Sequence, residues 1–406
     1  MGLKRLCRSG ANITNVADSK ESPSGPPLRV PSLDLSREYG AIGHLLLEAV
    51  ENVFSSQNFI MGPPVVEFER AAGEKCGGAH AIGCSSGTDA LWLALEGAGI
   101  AAGDAVITTA FSFFATVSAI LRAGARPLLA DIDPETFNLD PVAARAALTA
   151  IPTARAILPV HLYGQIADWD CFELLKQEHG VLLIEDAAQA FGATWDGRKA
   201  GALGDAAAFS FYPTKNLSAS GDAGMVTTNS EATADRVRLL RLHGMRRRYY
   251  HDEVGWNCRM DTLQAAVLLV KLRFIDEWNT RRLVLAEHYR VLFDRAGLVE
   301  AGPYPQRGVI VPKTKFKAGH VFHQYVIRVR RRDQLKQFLQ ERGVGSEIYY
   351  PLALHHQPAL RSLGYSAGDF PESERAAAEV LALPIFPQLT FEEQEIVVSA
   401  IADFFS

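Results

Sequence analysis

Two positions near the middle of the chain carry groups suited to covalent chemistry. An apolar run, residues 181–184 (VLLI), ends in Glu185-Asp186. It reads as a buried parallel strand that delivers a carboxylate to its carboxyl end, where open α/β sheets bind ligands. A second apolar run, residues 206–212, leads into Pro213-Thr214-Lys215. A lysine directly after a buried strand sits where its pKa can fall and its amine can attack a carbonyl. Together the two suggest a pyridoxal phosphate (PLP) site, with Lys215 for the Schiff base and Asp186 for the protonated pyridine nitrogen. Taken singly, Lys215 reads better as a solvated loop lysine and Asp186 as a helix cap; the two in one ordered pattern reverse that.

These groups need a scaffold, and the flanking sequence supplies one. Strands are expected over residues 80–84, 104–108, 126–131, 154–160 and in SGDAGMVTTN after Lys215. Helices are expected from 85 to about 98, from about 112, over 169–179 and over 232–243. Alternation of this kind predicts an α/β domain with a mostly parallel sheet flanked by helices. Within it, Ser85-Ser86-Gly87-Thr88 opens a helix. Small residues there let backbone N–H groups approach a phosphate, and the helix dipole adds attraction. Thr88 also reads as a plain N-cap. Neither GxGxxG nor GxxxxGK[ST] occurs, which counts against a dinucleotide or P-loop site.

Helices are also expected over 36–55 and 65–76, on either side of a Gly-Pro-Pro break. A long helical stretch, 261–296, is expected to lead into a smaller α+β part. There strands are expected at 320–330 and 344–350, and helices at 332–342, 373–382 and 390–405. The division expected is a flexible polar extension over 1–29, a large domain over 30–265, and a linking helix with a small domain over 266–406.

Composition narrows the function. The chain has 406 residues, 48% hydrophobic and 21% charged, which suits a globular protein with a sizeable core. A net charge of −5 gives no electrostatic footprint for nucleic acid. The short run Arg246-Arg247-Arg248-Tyr249-Tyr250 fits a substrate-phosphate or surface role better. No apolar stretch suits a bilayer span. Five scattered cysteines with no C-x-x-C argue against a disulfide framework or a cysteine-based metal centre. No metal ligand is assigned, and a reducing cytoplasm is the expected compartment.

Three passages together, EDAAQAFGA, GALGDAAAFSFYPTKNL and GDAGMVTTN, closely resemble the DegT/DnrJ/EryC1/StrS family of PLP-dependent nucleotide-sugar aminotransferases. The resemblance runs from about Pro31 to the C-terminus. It implies PLP fold-type I, with a seven-stranded large domain and a smaller C-terminal domain. It implies phosphate contacts from Gly87, Thr88 and Ser210, and stacking of Phe113 on the pyridine ring. Core packing is the competing reading for Phe113, which lies close to Phe111 and Phe114. Gln189 is implied on the side of the cofactor's 3′-oxygen. The pattern Gly255, Asn257, Arg259 implies that Asn257 crosses a dimer interface to the neighbour's phosphate and that Arg259 contacts substrate or phosphate. The competing reading makes Asn257 a turn residue and Asp261 a helix cap. A Gly-Pro passage followed by Glu67-Phe68-Glu69 resembles a family subunit interface. His161 resembles a position near the active site but reads as structural. Tyr350 is a candidate substrate contact, and Tyr349 stands where the family has histidine.

The chemistry implied is ping-pong transamination in a homodimer, from L-glutamate to a nucleotide-linked keto sugar, at C3 rather than C4. The freed Lys215 amine would carry a proton between the donor α-carbon and the cofactor. Alternatives are another cyclic ketone such as a keto-inositol, or a non-enzymatic PLP-binding regulator. A dehydratase variant would replace the lysine with histidine, and Lys215 argues against it.

Overall fold

The structure, a computed structural model, describes residues 29–406. All but the last residue of the expected 1–29 extension therefore lies outside the described residues. Seven strands form the main sheet: β1 (His80–Cys84), β2 (Ala105–Thr109), β3 (Arg126–Ala130), β4 (Ala156–Leu158), β5 (Leu182–Asp186), β6 (Ala206–Ser210) and β7 (Gly224–Thr228). Their order is β1-β7-β6-β5-β4-β2-β3. From β3 to β6 every pair is parallel, and β7 runs against both of its neighbours.

Near-continuous apolar strands of this kind must be covered on both faces. One face receives α2 (Pro63–Cys76), α5 (Pro141–Ala150), α6 (Trp169–His179) and α8 (Thr262–Leu272), through residues such as Phe68, Leu148, Phe172 and Leu268. The other receives α3 (Gly87–Gly97), α4 (Ala115–Arg122) and α7 (Glu231–Leu240), through Leu91, Ile120 and Val237. Successive strand residues divide accordingly: Leu183 joins the first core and Ile184 the second. That period of two sends Glu185 toward α6 and Asp186 toward α3 and α4. In β6, Ala206 and Ala208 belong to the second core, so Ser210 points the same way as Asp186.

The long helical stretch is two helices, α8 and then α9 (Ile275–Arg295), parted at Arg273-Phe274. No Gly or Pro marks the break. The apolar stripe changes partner there, since Leu268, Val270 and Leu272 join the first core while Leu285, Tyr289 and Phe293 join another. This further core gathers α10 (Arg332–Glu341), α12 (Phe391–Phe405) and a two-stranded sheet, β8 (Tyr325–Arg328) with β9 (Val380–Leu383). Val30 pairs with Val344 and belongs to this core, so the residues before α1 (Leu35–Ser56) pack with the C-terminal part.

Two expectations fail here. Residues 344–350 form no strand, because the segment divides its bridges between Val30 and Ala382. The helix expected over 373–382 is α11 (Pro371–Glu379), after which the chain turns into β9. Ala376 to Ala378 favours helix locally, but Val380–Leu383 is fully buried against β8 and its ladder prevails. No helix among the described residues is long and apolar enough to cross a membrane.

Candidate active site

A cavity of about 520 Å³ opens at the carboxyl ends of β5 and β6. Gly87, Thr88, Phe113, Asp186, Gln189, Ser210, Lys215 and Tyr350, drawn from five separate segments, all line it. The register explains part of this convergence. Asp186 pairs with Ala208, and Ser210 pairs with Gly224, which in turn pairs with Cys84 just before the α3 turn.

Asp186 is buried, and its Oδ2 accepts a 2.7 Å hydrogen bond from Thr116 Oγ1 on α4. Ser112 Oγ lies 2.9 Å from the same hydroxyl, and Ala188 N–H donates to Oδ1 at 3.2 Å. Burial raises the pKa of Asp186, while these bonds and the Lys215 charge oppose the rise. A carboxyl so balanced is suited to sharing a proton with a ring nitrogen. Lys215 follows β6 in a turn closed by its own N–H to Tyr212 O at 2.8 Å. Burial lowers its amine to about 8, against a smaller raising effect of Asp186. A substantial neutral fraction near physiological pH is what a nucleophilic amine requires.

The phosphate cradle is built from absent side chains. Ser86, not Thr88, caps α3, with its hydroxyl accepting from Asp89 N–H at 3.1 Å. The capping reading of Thr88 is thereby displaced. A Cβ on Gly87 would stand 2.5 Å from Ser210 Cβ, and one on Gly224 would stand 2.3 Å from Ser86 O. Space and N–H groups at a helix start suit an anionic phosphate.

Phe113 is 58% exposed and its ring centroid lies 6.0 Å from that of Tyr350. Phe111 is fully buried and Phe114 packs on a side core, so of the three only Phe113 presents a ring to the cavity. Gln189 is fixed from both ends: its Oε1 accepts from Tyr163 N–H at 2.6 Å and its Nε2 donates to Tyr350 OH at 3.2 Å. His161 is a structural residue. Its Nε2 lies 3.1 Å from Glu185 Oε2, and its Nδ1 accepts from Ala167 N–H at 3.3 Å.

Asn257 and Arg259 do not line this cavity. Asn257 is exposed, with its backbone bridged to Leu242. Arg259 is bridged to Cys84, one step before the phosphate turn, and its Nε is buried without a hydrogen-bond partner among the described residues. Sequence reasoning missed Thr116, Tyr163, and His323 on the cavity wall. For Thr116 a signal existed, since Ser112 and Thr116 stand four apart where a helix begins. A larger groove of about 710 Å³ runs between α1, α2 and α8, remote from the amine–carboxylate pair.

The profile of the DegT/DnrJ/EryC1/StrS aminotransferase family matches residues 41–402. A pleiotropic regulatory protein of Geobacillus stearothermophilus is 46% identical over 93% of this chain and 99% of its own length. The dTDP-3-amino-3,4,6-trideoxy-alpha-D-glucose transaminase of Streptomyces venezuelae is 39% identical over 93% of this chain and 96% of its own. Among solved structures, S. venezuelae DesV superposes with a TM-score of 0.88, at 38% identity, covering 94% of this chain and 99% of that one.

Proposed function

This chain belongs to the DegT/DnrJ/EryC1/StrS aminotransferase family of PLP-dependent transaminases, and on that premise we propose that it moves an amino group from L-glutamate to a nucleotide-linked keto sugar, at C3. The observation that carries the reading is the convergence of Lys215 and Asp186 on one cavity beside a glycine-built phosphate cradle. The same features fit PLP: an amine near neutral pKa, a buried carboxyl, an N–H-rich turn and one exposed aromatic ring.

When bound, PLP supplies a carbonyl that condenses with amines and a ring that accepts electrons from a breaking C–H bond. The chain's own residues do the rest. Lys215 would hold the cofactor, and its free amine would be placed to move a proton at the donor α-carbon. Asp186, steadied by Thr116, keeps a proton on the ring nitrogen. Gly87, Thr88 and Ser210 would hold the phosphate, and Gln189 would face the ring oxygen. Phe113 would stack on the ring, and Tyr350 would border the sugar. Asn257 and Arg259, outside their own cavity, serve the partner subunit's site and the substrate phosphates in a homodimer. The apolar groove on α1, α2 and α8, with Phe54 and Val66 exposed on two of those helices, supports a pairing surface there.

Position C3 is favoured by the S. venezuelae relative, a 3-amino-sugar transaminase. The 46% identical regulatory protein keeps a second reading, a PLP-binding regulator, in play. One experiment separates them. Purified, PLP-loaded protein is mixed with L-glutamate and its visible cofactor absorbance is followed. Loss of that absorbance, then its return with a 3-keto but not a 4-keto nucleotide sugar, is expected. Absorbance unmoved by glutamate or by other amino acids would favour the regulator. Normal turnover by Lys215→Ala would refute the assignment of the amine.

A further inference from the structure

We propose that His355, His356 and Glu374 form a binding site for a divalent metal ion of the zinc class, separate from the cofactor cavity. None of the three lines that cavity. The two histidines lie in a short turn, Leu354–His356, that follows the Tyr349-Tyr350 wall, and Glu374 stands in the first turn of α11. Seventeen residues of chain separate the histidine pair from the glutamate, so the sequence pattern conceals a cluster that the fold assembles.

The donor atoms already stand at coordination spacing. His355 Nε2 lies 2.9 Å from Glu374 Oε1, and His356 Nε2 lies 3.6 Å from the same oxygen. All three ligand atoms fall within 4.8 Å of one another. A tetrahedral ion with bonds of roughly 2.0–2.1 Å places its donors about 3.3 Å apart, between those two separations. His355 Nε2 and Glu374 Oε1 share a hydrogen bond, but two other nitrogens of the histidine pair are left unsatisfied. His355 Nδ1 and His356 Nε2 are both buried with no partner among the described residues. Such orphaned polar atoms call for an explanation, and an ion bound at Nε2 accounts for the second of them.

The His355 side chain is fully buried. The Gly368 N–H donates at 2.7 Å to Glu374 Oε1 and so fixes the carboxylate, as supporting hydrogen bonds do around metal ligands. Entry is available, because the His356 side chain is 31% exposed. Three protein ligands leave the remaining positions to water.

The ion would act as a clasp. Leu354 N–H already bonds Ala110 O at 2.8 Å, just past β2, and Leu354, Leu360 and Phe370 share a small core. An ion held by the turn and by α11 would join the segment following Tyr350 to the C-terminal part of the fold.

The test uses chelator-treated protein reloaded with PLP. Zinc is titrated calorimetrically, and cobalt is added as a spectroscopic substitute. One zinc per chain, a rise in Tm and a cobalt spectrum of tetrahedral intensity are expected. His356→Ala and Glu374→Gln should each weaken zinc binding by about tenfold or more and abolish the Tm rise. Their visible cofactor absorbance should match that of the parent. His356 is partly exposed, so its alanine variant should fold even if the Glu374 variant does not. No zinc uptake by the parent protein would overturn the proposal. So would equal uptake by folded His356→Ala, which would mark adventitious binding elsewhere. Either failure leaves the transaminase reading untouched.

Discussion

Replacing Thr116 by valine tests whether the carboxyl at the end of β5 works through its hydroxyl partner. Valine keeps the shape of threonine and removes one donor. The lost bond is 2.7 Å long, lies between buried groups and ends on Asp186 Oδ2. A hydrogen bond to a charged buried group contributes about 1.5–3 kcal/mol. If that energy supports the ionised carboxyl facing the ring nitrogen, its loss should lower kcat, PLP affinity or both by roughly 10- to 100-fold. A second readout needs no turnover. Burial raises the folded-state pKa of Asp186 above its ordinary value. Its contribution to the stability of the PLP-free protein is then fully present at low pH and lost as pH rises through the folded pKa. Removing a bond that favours the ionised form should enlarge that loss. Thr116→Val should therefore fall further behind the parent in Tm as pH rises. A deficit that does not change with pH, with unchanged PLP affinity, would refute the linkage.

Three further outcomes follow from the same geometry. In PLP-free protein, labelling of Lys215 by an amine reagent should rise through about pH 8. In Asp186→Asn the rise should move to lower pH, because the carboxylate is what holds the amine's pKa up; an unmoved midpoint would contradict that coupling. Between pH 8 and 10.5, the lowered amine should make the PLP-free protein more stable as pH increases, a trend that Lys215→Met should erase in thermal melts. Gly87→Ala places a methyl 2.5 Å from Ser210 Cβ; equilibrium dialysis should show PLP affinity down by at least tenfold, and unchanged affinity would move the phosphate elsewhere.

Much of the site was legible because its chemistry hangs on strand ends. A buried run followed at once by Asp186 or Lys215 fixes each group at the sheet's carboxyl edge, and local sequence suffices to see it. Contacts between distant segments were not legible. Thr116 reaches Asp186 across 70 positions and Tyr163 reaches Tyr349 O across 186; the Ser112-Thr116 spacing hints at a polar pair but not at its distant partner, and nothing local announces the second bond. Boundaries were misread where tertiary burial overrides propensity. Alanines 376–378 read as helix up to residue 382, yet Val380 to Leu383 belongs to a ladder with Tyr325 to Arg328. The strand expected over residues 344–350 failed for a related reason, since the segment shares its bridges between two partners.

Glu185 and Asp186 show how one dipeptide serves two ends. Alternation turns Asp186 into the cavity and Glu185 away from it. Glu185 is fully buried and accepts from four donors: Leu203 N–H at 3.0 Å, Gly204 N–H at 2.8 Å, Gly201 N–H at 2.9 Å, and His161 Nε2 at 3.1 Å. Those glycines form the approach to β6, the strand that presents Ser210 and then Lys215. Glu185→Gln keeps the volume but leaves one oxygen for donors that face two, so either the Leu203 and Gly204 pair or the Gly201 and His161 pair loses its acceptor. At about 1–3 kcal/mol for each buried group left unsatisfied, the variant should lose roughly 2–6 kcal/mol in urea denaturation. PLP affinity should fall with it, although Glu185 lines no part of the cavity. A variant within 1 kcal/mol of the parent would mean that the turn before β6 holds its shape without the carboxylate. The placement of Lys215 would then rest on the sheet alone.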